Sequence, residues 1–179
     1  MRKVVLFIAM SLDGYIADRQ GGVDWLNGQE EDGNTDTYSE FVKNVDTVLM
    51  GWNTYHQIVT ELSPTEWVYG DLKTYVFTHH KSHSTEPICF TNENPVDVLK
   101  KLKRQSGKDI WVCGGANLIG QLMRENLIDV YDISVIPVLL GSGIRLFEDF
   151  QNRRNLCLVK TQRDNGMVEL VYENKRLLP

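Results

Sequence analysis

The sequence predicts a three-layer α/β/α domain whose central sheet is mixed, mainly parallel, and finished by a C-terminal antiparallel hairpin. Three observations predict it. Residues 4–10 and the run Ile110-Trp111-Val112-Cys113 are continuously apolar, as strands covered on both faces of a parallel sheet are. Strand, glycine and helix follow one another twice, at Leu49-Met50-Gly51 and at Cys113-Gly114-Gly115. Asn165-Gly166 stands between two strand-like runs, the strongest short signal for a hairpin.

Length and charge narrow the function classes. At 179 residues, 42% of them hydrophobic, the chain is ample for one buried core and short for two, so residues 1–179 are expected to form a single domain. A formal net charge of -5 without a basic patch argues against nucleic acid or an anionic membrane surface as partner. Lys100, Lys101, Lys103 and Arg104 share a helix that has its own apolar face, and they read as a solvated face. Cys89, Cys113 and Cys157 are odd in number and far apart, so neither a disulfide framework nor a CxxC metal pair is predicted. Met1-Arg2-Lys3 ahead of residues 4–10 imitates a signal peptide, but the run ends at Ser11-Leu12-Asp13-Gly14 without a small-residue cleavage site. No stretch approaches the roughly 20 apolar residues of a membrane span. A soluble cytoplasmic protein is expected.

The first strand, residues 4–10, ends in a turn at Asp13-Gly14. Open α/β sheets bind ligands at the ends of central strands, so Asp13 is a candidate site residue as well as a turn former. Residues 18–34 are rich in glycine, amides and acids; a loop this long is commonly a lid, with Trp25 as its hydrophobic foot. Thr37-Tyr38-Ser39-Glu40 is a capping box, and Tyr38, Phe41, Val42 and Val45 recur at helical spacing. Asp46-Thr47-Val48-Leu49-Met50 reads as a buried strand ending at Gly51, after which Asn53 or Thr54 would cap a helix.

Residues 63–71 form a loop punctuated by Pro64 and Gly70. Lys73-Thr74-Tyr75-Val76-Phe77 alternates as a strand and leads into Thr78, His79, His80, Lys81 and His83. The clustered histidines suggest metal, but no carboxylate or thiol has ligand spacing around them, so a polar strand-end loop is preferred and no metal is predicted. Ile88-Cys89-Phe90 is a short strand, and Asn94-Pro95 opens a helix that buries Val98, Leu99 and Leu102 and stops at Gly107.

Gly114-Gly115 then separates the second apolar strand from a helix carrying Leu118, Ile119, Leu122 and Met123 on one side. This order aims unpaired helix-start amides at whatever sits above the strand end, and without Cβ atoms an anion such as a pyrophosphate comes close. The plainer alternative is two glycines that only turn the corner, since the spacing is neither GxGxxG nor a P-loop. Residues 129–138 form a strand whose Pro137 places its end, or its whole length, at a sheet edge, followed by a glycine-bearing loop through Gly141, Gly143 and Arg145. Residues 156–161 and 167–173 pair about Asn165-Gly166.

Ser11-Leu12-Asp13-Gly14, then Trp25-Leu26, Leu49-Met50-Gly51 with Thr54-Tyr55, Gly114-Gly115-Ala116 with Leu118, and Pro137-x-Leu139-Leu140-Gly141 with Gly143 and Leu146-Phe147 together resemble the dihydrofolate reductase superfamily. The nearest branch is typified by the reductase domain at the C-terminus of the bifunctional riboflavin-biosynthesis deaminase-reductase, and the resemblance spans nearly the whole chain. It implies hydride transfer from NADPH, held across the strand ends, to a small heterocyclic or ribosyl substrate, as in 5-amino-6-(5-phosphoribosylamino)uracil reductase. Carried over by position, Gly114, Gly115, Ala116, Asn117 and Leu118 would hold the pyrophosphate, and Gly51, Trp52, Asn53 and Thr54 the adenosine side. The loop from Asp18 to Leu26 would close beside the nicotinamide. Ser11, Trp25, Gly141, Gly143 and Arg145 fall on the substrate side, where Arg145 and the two glycine amides would hold a substrate phosphate. The resemblance also implies a homodimer, joined through the expected edge strand at residues 129–138.

Two departures qualify this carry-over. Where the family commonly has arginine after the first of these glycines, Gly51, this chain has Trp52, which stacks on adenine but neutralises no phosphate. Lys81, with Thr78 and His79, is the candidate replacement, and NADH is the alternative cofactor. If Phe41 matches the family's first-helix aromatic, Thr37 stands where folate reductases carry an acid, and the adjacent Asp36 points away from the core face. The proton is then expected from Asp13, the one catalytic candidate, or from a bound water. Two other readings stay open: a dinucleotide-binding homodimer or regulator without turnover, and a reductase of folate, pterin or other small molecules on the same scaffold.

Overall fold

The structure is a computed structural model that describes residues 1–26, 37–148 and 153–175. The chain runs β1 (Val4–Ser11), β2 (Tyr15–Ala17), α1 (Thr37–Val42), β3 (Val45–Gly51), α2 (Trp52–Gln57), β4 (Lys73–Phe77), β5 (Ile88–Thr91), α3 (Pro95–Lys103), β6 (Asp109–Gly114), α4 (Ala116–Arg124), β7 (Val130–Ile136), β8 (Ile144–Arg145), β9 (Leu156–Asp164) and β10 (Met167–Asn174). The main sheet has the order β5-β4-β3-β6-β1-β7-β10-β9, and β2 pairs with β8. From β5 to β7 every neighbouring pair is parallel; β10 and β9 finish the sheet antiparallel. The expected mainly parallel, three-layer architecture forms.

Continuous apolarity places β1 and β6 side by side at the centre, with Val4, Leu6, Ile110 and Val112 fully buried. On one face α3 and α4 press Leu99, Leu102, Leu118, Ile119 and Leu122 onto them. Burying a leucine or isoleucine of this kind contributes about 2 kcal/mol relative to exposure. On the other face Phe41 of α1, Tyr55 of α2 and Ile58 of the wider turn that continues α2 cover Val48, Met50, Val76 and Trp111. Local chemistry sets the ends. Asn94 accepts a hydrogen bond from the Val96 amide at 2.9 Å with Pro95 in the first turn of α3, and Asn165 and Gly166 both take positive φ (48° and 73°), as a tight hairpin turn requires.

Three expectations are corrected. Residues 129–138 are not an edge: β7 pairs along its whole length with β1 and also with β10, and Pro137, which lacks an amide to donate, falls just beyond it. Among the described residues the sheet's edges are β5 and β9, so a dimer joined through β7 has no open ladder to use. Neither Asn53 nor Thr54 caps α2, whose N-cap is Gly51 without a side-chain bond, while Thr54 turns toward the second glycine corner. α3 ends at Lys103 rather than at Gly107. Among the described residues no helix is long and apolar enough to cross a membrane.

Polar ties lock the amino ends of the strands. The buried Arg2 guanidinium pairs with Asp46 and donates to Thr47 Oγ1 at 2.7 Å and to the Lys108 carbonyl at 2.6 Å, joining β1, β3 and β6. Asp129 Oδ2 accepts the Val4 amide at 2.8 Å and the Lys103 ammonium at 2.6 Å. Its side chain is 4% exposed, and truncation strands both donors. Asp129→Ala is expected to cost about 3–5 kcal/mol in urea unfolding. Gly143, at φ 148°, has no room for a side chain, because a Cβ would lie 2.1 Å from the Ala17 carbonyl oxygen. Gly143→Ala is expected to cost about 3 kcal/mol or more, and Gly70→Ala, at φ 54° with open space around it, only about 1 kcal/mol in the same measurement.

Candidate functional site

The chain leaves β3 through α2 toward β4 and leaves β6 through α4 toward β7, so the two connections diverge and open a crevice at the carboxyl ends of neighbouring strands. Glycines line it. Gly51 ends β3, Gly114 ends β6 at φ 144°, and Gly115 starts α4 after a cis peptide bond. A Cβ on Gly51 would meet only the Gly115 amide nitrogen, at 3.9 Å, and Cβ atoms on Gly114 and Gly115 would meet Thr54 Oγ1 at 3.5 and 3.4 Å. These four residues share one corner. No side chain caps α4, so its first-turn amides are left to face this space.

A second opening adjoins the corner. β1 pairs with β6 only from Val4–Leu6 to Ile110–Val112, whereas it stays with β7 through Ser11. Beyond Leu6 the two central strands part, and the Trp111 indole donates to the Phe7 carbonyl at 2.9 Å. Phe7, Ile8, Ala9 and Met10 are only half-buried. Phe7 stacks on Phe41 with centroids 4.1 Å apart, and Trp111 meets both edge-on at 6.0 and 5.5 Å, which makes an aromatic wall on one side of the parting.

The other expected residues divide. Across the neighbouring strand end, Gly51 is in register with Phe77, which sets Trp52 beside the Thr78–Lys81 loop. Trp52 lies 4.5 Å from the His80 ring and 5.7 Å from Tyr55 and His56, while His79 and Lys81 are exposed and Thr78 Oγ1 accepts the His80 amide. Asn53 and Asn117 are exposed, Asn117 Oδ1 accepting from Gln121 at 2.7 Å, and Ala116 and Leu118 bury their side chains so that only their amides face the corner. Trp25, half-buried, donates to the Gly22 carbonyl at 3.1 Å and holds its own turn; residues 27–36, Asp36 among them, lie outside the described residues.

The residues expected to take substrate engage one another. Asp13 Oδ1 accepts from Ser11 Oγ at 2.6 Å and from the Leu140 amide at 3.1 Å, and Oδ2 accepts the Gly141 amide at 2.7 Å. The Ser11 hydroxyl and these amides hold the carboxyl below the usual range, so the ionised Asp13 clamps the loop to the turn after β1. Ser11 is fully buried and also accepts the Tyr15 amide at 2.9 Å. The Gly141 amide is engaged by Asp13 and Gly143 packs on Ala17, so both glycines shape the loop. Arg145 rests over the Tyr15 ring at 4.9 Å.

Sequence reading passed over two features. Asp132 and Ser134 sit at alternate positions of β7 on the face of Phe7, a polar alternation within the strand. Burial and the adjacent Glu169 push the Asp132 carboxyl up to about 7. Near the corner, the Tyr69 hydroxyl and Cys113 Sγ lie 3.2 Å apart, and desolvation pushes the thiol up to about 11. Among the described residues no group of three or more histidines, cysteines or acids is gathered as metal ligands.

Known proteins share this fold. The model of the RibD C-terminal domain matches residues 2–169. Uncharacterized protein YwjB of Bacillus subtilis (strain 168) is 42% identical over 172 residues, 96% of this chain and 97% of that protein. The crystal structure of a Shewanella sp. PV-4 protein named for riboflavin biosynthesis superposes with a TM-score of 0.84 at 28% identity, covering 98% of this chain and 100% of that one. The Thermotoga maritima diaminohydroxyphosphoribosylaminopyrimidine deaminase/5-amino-6-(5-phosphoribosylamino)uracil reductase shares the fold, with a TM-score of 0.68 at 15% identity over 97% of this chain and 56% of that chain. The architecture is the dihydrofolate reductase-like one of RibD reductase domains, and the chain belongs to the RibD C-terminal domain family.

Proposed function

We propose that the protein is an NADPH-dependent reductase acting on a small nitrogen heterocycle that carries a ribosyl or similar polar group. The observation that carries this reading is the uncapped start of α4 at a corner built from Gly51, Gly114, Gly115 and Thr54, next to the parting of β1 and β6. The corner fits a dinucleotide's pyrophosphate: the directions that side chains would take from the glycines lead into shared space and meet little beyond Thr54. When bound, the reduced dinucleotide supplies the hydride. The amides of Gly115, Ala116, Asn117 and Leu118 would hold its phosphates, and Thr54 Oγ1 would donate to them. Trp52, with His80 against it, offers adenine a flat surface, and Lys81 with Thr78 and His79 supplies the polar rim that favours NADPH over NADH.

The aromatic wall of Phe7, Phe41 and Trp111 would seat a planar ring against the parted strands, where orientation and exclusion of water supply most of the rate. The Thermotoga maritima relative is named for reduction of 5-amino-6-(5-phosphoribosylamino)uracil, which has such a ring, and that compound is the first acceptor to try. Replacement of the family's usual arginine by Trp52 favours a second reading, a dinucleotide-binding protein without turnover.

Thermal shift with NADPH and NADH, followed by NADPH oxidation with the aminouracil substrate, separates these readings. NADPH at 100 times its Kd is expected to add about 2.7 kcal/mol to folded-state stability. Binding without oxidation by any pyrimidine, pterin or quinone acceptor selects the second reading, and no shift at all removes both. Asn117→Asp is expected to leave stability unchanged or slightly raised, because an acid suits a helix start, while weakening NADPH binding about tenfold, as measured by fluorescence titration. Two copies would meet along the free edge β9, where Leu158 and Val159 are each 57% exposed, and light scattering is expected to give a dimer mass that Leu158→Lys reduces to a monomer's.

A further inference from the structure

The sheet face that carries Phe7 continues across β7, β10 and β9 with polar side chains. Phe7 is in register with Asp132, Asp132 with Val171, and Val171 with Lys160; one step along, Ser134 faces Glu169 and Glu169 faces Gln162. Partners in register point to the same side, so Asp132 stands at the foot of the aromatic wall, about 4.8 Å from Phe7 backbone to backbone. Glu169 is nearly buried and ion-paired with Lys160 Nζ at 3.1 Å. Asp132 hydrogen-bonds Glu169, and its Oδ1 is buried without a partner. Among the described residues, the charged groups on the face of Asp132 are Glu169 and Glu173 from β10, the latter ion-paired with Lys3, and Lys160 from β9, while β1 presents the uncharged Val5, Phe7 and Ala9.

A reduction by hydride needs one proton for the acceptor atom, and the described residues offer few sources. Asp13 is ionised and its oxygens are occupied, and the start of α1 has Thr37. We propose that Asp132 donates the proton that accompanies hydride transfer, with Glu169 as its positioning residue. This rests on the reductase reading above. A C=N or C=O acceptor takes a hydride at carbon from the reduced dinucleotide, which leaves oxidised. Its nitrogen or oxygen takes the proton from the Asp132 O–H, and the resulting carboxylate regains one from solvent. Burial disfavours charge on Asp132 and the Glu169 carboxyl in contact with it adds to that, so a proton is held on Asp132. A carboxyl at about 7 both holds and releases a proton near neutrality, which is what general acid catalysis needs.

The test joins a titration without cofactor to a rate profile. Carboxyl ¹³C NMR of the full chain is expected to show one group titrating near neutrality that disappears in Asp132→Asn and moves toward the ordinary carboxylate range in Glu169→Gln. For NADPH oxidation with 5-amino-6-(5-phosphoribosylamino)uracil, wild-type kcat falls as pH rises through that midpoint. Asp132→Asn lowers kcat by about 10²–10⁴-fold with KM for NADPH unchanged, and Glu169→Gln moves the fall to lower pH while keeping the rate on its acid side. A purely structural role for Glu169 gives no such displacement, so this variant decides the matter if Asp132→Asn does not fold. Absence of a near-neutral carboxyl, or wild-type rate and pH profile in Asp132→Asn, overturns the proposal. A wild-type protein that titrates as expected but never oxidises NADPH overturns the reductase reading instead, and the role of Asp132 falls with it.

Discussion

A parallel ladder satisfies backbone groups only while two strands keep their spacing, and β1 and β6 keep it no further than Leu6 and Val112. Much of the cleft depends on that short pairing. Beyond it each strand leans on its other neighbour, β1 on β7 and β6 on β3, so the parting opens without unravelling the sheet. The Phe7 carbonyl, left by the ladder with β6, is met by the Trp111 indole, a side-chain donor standing where a strand amide would have been. The amino ends cannot part in the same way, because Arg2 joins β1 to β3 and β6 there.

The cleft has two unlike sides. Toward β3 and β4 it is bare backbone and flat aromatic surface, suited to a long, polyanionic, partly planar ligand. Toward β1 and β7 it is a stacked wall followed by partly buried acids, suited to a small ring whose heteroatoms need hydrogen-bonding partners. Asp13 serves the second side indirectly. Its carboxylate fixes the loop at Leu140–Gly141 to the turn after β1 and thereby sets the mouth of the opening.

Much of the fold was legible because its signals are local. Apolar runs of strand length, Asn94-Pro95 and Asn165-Gly166 each carry their own physical reason, and each forms as expected. The misplacement of β7 has an equally local origin: Pro137 weakens a strand only where its missing amide is needed, and here that position lies beyond the ladder. The glycine corner could be found from sequence, since strand-glycine-helix is a contiguous pattern. The parting of β1 and β6 could not, because it depends on register between segments about a hundred residues apart along the chain. The same holds for Asp13, whose partners at Leu140 and Gly141 are distant in sequence, and for Asp132, whose surroundings come from β9 and β10.

Cys113 sits one residue before the glycine pair, a position where a reactive sulfur would expose the cleft to oxidants. Desolvation, however, keeps it a thiol, because at neutral pH scarcely any sulfur there ionises, and the thiolate is the species that peroxides and alkylating reagents attack. The glycine corner is therefore chemically quiet at this sulfur, which the same packing seats against Tyr69.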